Sequence, residues 1–166
     1  MSTPTPPITR DEIRRFVESF WSFVASGADG HDAAWRRRFA TGGLVAPDGS
    51  FLDLEAHQAL HRPLTDERHA WRELAVTTLA PDPPRVLVET TVPWEATVIE
   101  SGERIAAEVD QRWIIERRPD GDLRFNLWWS PAIRYATDGG RPIGLGSASD
   151  AATDADPSHP ERAAEA

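Results

Sequence analysis

The chain has 166 residues, a formal charge of −9 and 40% hydrophobic residues, which fits one soluble domain better than two. It contains neither Cys nor Lys, so disulfides, thiolate nucleophiles, Cys-ligated metals and lysine Schiff-base chemistry are excluded. The acidic balance argues against a nucleic-acid partner. The longest apolar stretches, such as Phe16 to Ala25, fall short of the roughly 18 residues a membrane helix needs, and no secretory leader pattern opens the chain. The expectation is a cytoplasmic protein with no membrane partner.

Residues 1–8 are rich in Pro and Thr and are expected to be disordered. Residues 137–166 carry Gly, Ala, Ser, Asp and Pro with almost no large apolar side chain, and read as an acidic disordered tail of net charge −4. Between them, residues 9–136 form the domain. Thr9-Arg10-Asp11-Glu12 is a capping-box pattern that opens a first helix. Ile13, Phe16, Val17, Phe20, Phe23 and Val24 then recur at three- and four-residue spacing until Gly27, with Trp21 widening the stripe. His31-Asp32 can cap a second helix through Phe39, placing Trp35 and Phe39 towards the core. Its Arg36-Arg37-Arg38 run reads as a solvated face.

Leu44-Val45-Ala46 and Phe51-Leu52 flank the turn Pro47-Asp48-Gly49-Ser50 as a small hairpin, and Asp53 can cap a third helix to about His61, before Pro63. Four strands follow: Arg72 to Leu79, Val86 to Ile99, Ile105 to Arg117 and Leu123 to Tyr135, joined by short Pro/Gly turns that imply an antiparallel meander. Helices first and a long antiparallel sheet afterwards make this an α+β protein.

Strand parity sorts the faces. Val86, Val88, Thr90, Val92, Trp94, Ala96 and Val98 share one face of the second long strand. Ala107, Val109, Gln111, Trp113 and Ile115 share one face of the third, where Gln111 is a polar group on an apolar wall. In the last strand parity puts Phe125, Leu127 and Trp129 on one face, and Asn126, Trp128 and Ser130 on the other. Both faces need cover, which points to a homodimer through Phe125, Leu127 and Trp129, or to Ile133–Tyr135 folding over them. Several of the seven Trp lie near Gln111 and Asn126, which suggests an aromatic-lined cavity for a hydrophobic small molecule.

Three features together carry a resemblance: the capped first helix with the short helix around Trp35-Arg36-Arg37-Arg38-Phe39, the strand-turn at Leu44-Val45-Ala46-Pro47, and Asp120-Gly121-Asp122-Leu123 leading into Leu127-Trp128-Trp129-Ser130. Across residues 9–135 the chain resembles the nuclear transport factor 2-like superfamily, which includes ketosteroid isomerases, limonene-epoxide hydrolases, scytalone dehydratases and SnoaL-like polyketide cyclases. The resemblance implies a cone-shaped roll of three N-terminal helices packed on a curved, mainly antiparallel sheet, a pocket inside the cone, and pairing through the outer sheet face.

Catalytic residues of the better-known members do not carry over. The ketosteroid isomerase general-base Asp falls at Ala46, its oxyanion-hole Tyr at Phe20 and its protonated Asp at Trp113. The epoxide hydrolase Asp, Arg and Asp fall at about Trp94, Val92 and Trp128. A one-residue bulge would be needed to carry Glu95 or Asp110 into the cavity.

The candidate chemistry therefore rests on other residues. His57 and His61 stand four apart on the third helix, without a third ligand that would make a metal site. His57 is the candidate acid/base group, and His61 is assigned to the rim. Gln111 and Asn126 either hold a carbonyl or hydroxyl or satisfy each other. Asp110 and Arg112 read as a surface or interface pair.

The expected site thus comprises His57, Gln111 and Asn126 as catalytic residues and Phe20, Trp35, Val92, Trp94, Trp113 and Trp128 as substrate-binding walls, with no metal and no cofactor. The expected activity is a cofactor-independent cyclase, isomerase or dehydratase acting on a polyketide- or terpenoid-like substrate. The alternative is a non-catalytic hydrophobic-ligand carrier or a structural partner subunit.

Overall fold

The structure, a computed structural model, describes residues 5–27 and 32–136. Its first helix, α1 (Arg10–Ala25), starts at the expected capping box. The Thr9 hydroxyl accepts from the Glu12 amide at 3.3 Å, and the Glu12 carboxylate accepts from the Thr9 amide at 2.9 Å. All seven residues of the apolar stripe, Trp21 included, are buried. The chain leaves the helix through Gly27 at φ 65°, a conformation that costs glycine nothing.

The second helix is one turn, α2 (Ala33–Arg36), capped by Asp32. It is shorter than the sequence pattern implies, because sheet pairing captures the next residues. Phe39 bridges to Phe125, with the Ala40 amide donating to the Phe125 carbonyl and the Phe125 amide to the Arg38 carbonyl, both at 2.7 Å. Phe39 still reaches the core, whereas Trp35 is only partly buried and carries the Arg38 guanidinium 4.6 Å above its ring. His31 lies outside the described residues, as does the whole of 137–166. Of residues 1–8, those from 5 onward are described: Ile8 is buried, and the carbonyls of Pro6 and Pro7 accept from the Arg117 guanidinium.

A hairpin of β1 (Gly43–Val45) and β2 (Phe51–Asp53) leads directly into α3 (Leu54–His61), capped by Asp53 as expected. The hairpin strands approach so closely at Gly43 that a Cβ there would lie 2.0 Å from the Leu52 carbonyl oxygen. Then come β3 (Leu64–His69), β4 (Leu74–Pro81), β5 (Pro84–Val98), β6 (Arg104–Arg117) and β7 (Leu123–Tyr135). They form one seven-stranded sheet in the order β2-β1-β7-β6-β5-β3, with β4 also pairing β5. Every pairing between these strands is antiparallel except the β1–β7 contact at Val45 and Trp129, and the Phe39–Phe125 bridge is parallel too. The result is a cone of helices on a strongly curled sheet. Among the described residues, no helix is long and apolar enough to cross a membrane.

Alternation follows the sequence pattern along all of β5 and along β6 as far as Ile115, after which Glu116 and Arg117 are buried as well, and the mutual register is unbroken from Arg85–Glu116 to Thr97–Arg104. No bulge therefore turns Glu95 or Asp110 inward. Glu95 pairs with Arg104 outside at 2.8 Å, and Asp110 pairs with Arg134 at 2.7 Å rather than with Arg112, which meets Glu89 at 3.1 Å.

Two local departures change the inner face. In β7 the register slips by one residue opposite Ile114–Ile115, so Asn126 is an extra residue, and it slips again opposite Asp110–Arg112. Phe125 thereby joins Trp128 and Ser130 inside, fully buried against Phe16 at 4.4 Å between ring centroids. The simple parity that put Phe125 on the outer face with Leu127 and Trp129 fails for this reason. Leu127 and Trp129 are half-buried, and the Arg112 guanidinium lies 5.3 Å from the Trp129 ring.

The second departure is in β3, a strand not anticipated from the sequence. Its pairing with β5 slips between Thr65 and Arg68, and Asp66 takes φ 53°. Left-handed backbone is unusual outside glycine, and Asp is one of the residues that tolerates it. Regular alternation from buried Leu64 would point Glu67 outward. The extra residue turns Glu67 and His69 inward instead.

Candidate functional site

Between the helices and the inner sheet face lies a hollow of about 60 Å³, lined from α1 (Phe20, Trp21), α3 (His57, His61), β3 (His69), β5 (Val92, Trp94), β6 (Gln111) and β7 (Trp128, Ser130), with aliphatic side chains from β1 and β2. Of the expected walls, Phe20, Val92, Trp94 and Trp128 line it. Trp113 is fully buried behind it, and Trp35 stands off it, packed on Phe20 at 5.3 Å.

His57 lies on this lining, buried, its ring 5.9 Å from Phe20 and 4.5 Å from His61. Burial, reinforced by His61 and His69 nearby, drives its pKa well below the ordinary imidazole value, so it is neutral near neutral pH. His61 is not at the rim. The helical spacing that puts it one turn beyond His57 also puts it on the same inner face, buried against Trp94.

His61 has a partner that no sequence motif announced. Its Nδ1 lies 2.7 Å from Glu67 Oε2, with only 6% of the His61 side chain and 3% of the Glu67 side chain exposed. The same oxygen accepts from Trp94 Nε1 at 3.1 Å. Burial works to raise the Glu67 pKa, but the hydrogen bond and charge of His61 and the Trp94 hydrogen bond outweigh it, so the carboxyl stays below its usual range. An ionised carboxylate only accepts, so the proton of this bond belongs to His61 Nδ1, and in the neutral ring Nε2 is left as an acceptor. That Nε2 is buried without a hydrogen-bond partner, as is His57 Nδ1.

His69 completes the cluster, stacked on Trp21 at 5.0 Å and 9°. Its pKa is pushed down to about 4 by burial, partly offset by Glu67 and reinforced by His61. Among the described residues, no three His, Cys, Asp or Glu side chains are placed to hold a metal ion.

Gln111 is where parity placed it. Its Oε1 accepts from Trp113 Nε1 at 3.1 Å and from Ser130 Oγ at 3.2 Å. Because indole N–H is purely a donor, the amide can face it only through oxygen, which leaves the Gln111 N–H groups as the donors available to the cavity. Asn126 does not meet Gln111. The bulge at Asn126 directs it to the other side, where its Nδ2 donates to Glu116 Oε2 at 2.9 Å beside Arg85 and Arg124, and it does not line the hollow.

No known family profile matches the chain, and no curated protein matches it by sequence. Solved structures do match in shape. A Caulobacter vibrioides protein with a cystatin-like fold superposes with a TM-score of 0.54 at 16% identity, covering 77% of this chain and 89% of that one. Aln2 from a Streptomyces species gives 0.57 at 17% identity, covering 78% and 94%. A Novosphingobium aromaticivorans protein carrying the provisional designation scytalone dehydratase gives 0.57 at 10% identity, covering 81% and 92%.

The chain has the nuclear transport factor 2-like fold. At these identities the likeness extends to the fold alone, so chemistry must be argued from the side chains that this nuclear transport factor 2-like cone brings together. Glu67 and His69 are the functional candidates that the sequence reading missed. The signal that could have found them is the alternation in Leu64-Thr65-Asp66-Glu67-Arg68-His69, interrupted at an Asp able to take left-handed backbone.

Proposed function

We propose that the chain is a small-molecule enzyme of the cyclase, isomerase or dehydratase kind, working by general acid–base chemistry on a hydrophobic polyketide- or terpenoid-like substrate. The observation that carries this is the buried His61–Glu67 pair at 2.7 Å on the wall of an aromatic hollow. A carboxylate that fixes the imidazole tautomer and stabilises the imidazolium formed on proton uptake is the arrangement a base needs in order to remove a proton from carbon. His57, held neutral, can donate to a leaving or developing oxygen without carrying a charge of its own. Gln111 N–H can hold the substrate carbonyl, and the Trp and Phe walls restrict its pose.

The test is a panel of cyclic β-hydroxy ketones incubated with the protein in deuterated buffer and followed by NMR for exchange next to the carbonyl and for loss of the hydroxyl. The wild type is expected to exchange or eliminate, and His61→Gln to do so roughly 100-fold more slowly while still binding. Equal rates in the two proteins would reject His61 as the base, and binding without turnover across the panel would reject the enzyme in favour of a carrier.

A further inference from the structure

The lining of the cavity is chemically one-sided. Among the described residues that form it there is no Asp, Glu or Arg, and the chain has no Lys. Glu67, the nearest carboxylate, stands behind His61, engaged by His61 Nδ1 and Trp94 Nε1, and borders a separate groove beside Glu18 and Arg68. With Glu67 ionised, the pair carries one negative charge while His61 is neutral and none once His61 takes a proton, so at neither stage does it offer an anion net positive charge.

The free volume of about 60 Å³ has room for roughly four to six waters at about 10–15 Å³ each, the bulk of one ring with a substituent. The polar groups are also fixed in sense. Gln111 presents donors because its oxygen is taken by Trp113 and Ser130, while His61 in its neutral form presents an acceptor because its Nδ1 proton is committed to Glu67.

We propose that the cavity selects an uncharged single-ring carbonyl compound, its oxygen accepting from Gln111 and its acidic hydrogen facing His61. The assignment of the acidic hydrogen rests on the enzymatic reading above. The selection against charge does not. An ionised carboxylate or phosphate entering this hollow would lose its hydration and meet no counter-charge.

Binding alone tests it, independently of turnover. Cyclohexanone and phenol serve as neutral probes, and cyclohexanecarboxylate and benzoate as anions of matched ring size, each titrated at neutral pH against the quenching of Trp fluorescence in the wild-type chain. The neutral probes are expected to bind at least about 100-fold more tightly than the anions. Methylenecyclohexane, which lacks the acceptor oxygen, is expected to bind about tenfold more weakly than cyclohexanone, and Gln111→Leu is expected to abolish that difference. Anions binding as tightly as their neutral partners would overturn the proposal, as would no binding by any probe. A protein that binds as expected but shows no turnover leaves this selectivity standing and removes the enzymatic reading instead.

Discussion

Acidification should weaken this fold through its buried histidines, and the size of the effect follows from the site. In the unfolded chain an imidazole titrates near 6.5, whereas His69 is held at about 4 in the fold by burial, which Glu67 offsets in part and His61 reinforces. The folded state thus binds fewer protons than the unfolded state between those values. The histidine contribution is complete above that interval and is lost as the pH falls through it.

From about pH 7 to about pH 5, His69 alone should remove about 2 kcal/mol, since each pH unit is worth about 1.4 kcal/mol per proton taken up. His57, held well below the ordinary value by burial with His61 and His69 beside it, adds a loss of the same sign. Glu67 acts in a different window. Its pKa is lowered, so its stabilisation persists until the pH falls below the usual carboxylate range.

Urea unfolding across that pH range measures the slope of stability against pH, expected to correspond to more than one proton taken up on unfolding. His69→Phe keeps a flat ring on Trp21 and should reduce the slope by about one proton. A wild-type stability that does not change over this range, or a variant with an unchanged slope, refutes the reasoning.

Three further outcomes follow from named contacts. Glu67→Gln keeps an acceptor for Trp94 but removes the charge that orients His61. It should cost about 1–3 kcal/mol by denaturant titration and lower any turnover roughly 100-fold or more, with the larger kinetic loss in kcat rather than KM. Asp66→Gly should leave stability near wild type, because φ 53° is free to glycine, whereas Asp66→Val should lose about 1–2 kcal/mol and release the Glu67–His61 hydrogen bond, visible as a changed His61 imidazole NMR signal. Gly43→Ala forces a Cβ to within 2.0 Å of the Leu52 carbonyl, so the β1–β2 hairpin must open. A clear fall in thermal midpoint is expected, and an unchanged midpoint would contradict the hairpin geometry.

What the sequence made legible follows from where a regular period operates. The stripe of α1 obeys a period of 3.6 and is buried from Ile13 to Val24, and β5 and β6 obey a period of 2 up to Ile115, so Val92, Trp94 and Gln111 lie on the face that spacing alone assigns them. The misplacements within the sheet lie where the period breaks. Asn126 was counted inward and Phe125 outward because the register slip in β7 leaves no mark in composition. Glu67 was invisible because Thr65-Asp66-Glu67-Arg68 reads as a polar connector until one left-handed residue makes it a bulged strand. His61 was assigned to the rim because its stabilising partner comes from that same unanticipated strand.

The backbone irregularity at Asp66 also uncouples spacing along the chain from the choice of face. Because the extra residue lets Leu64 and Glu67, three apart, share the inner face, deleting it would restore plain alternation with the carboxylate still inward, whereas straightening the strand at unchanged length would turn the carboxylate to solvent. Chains of the same shape can therefore carry this acid–base pair on an uninterrupted third strand one residue shorter. When such chains are superposed, the informative comparison is which side chains of that strand share the inner face, not which positions match in an ungapped alignment.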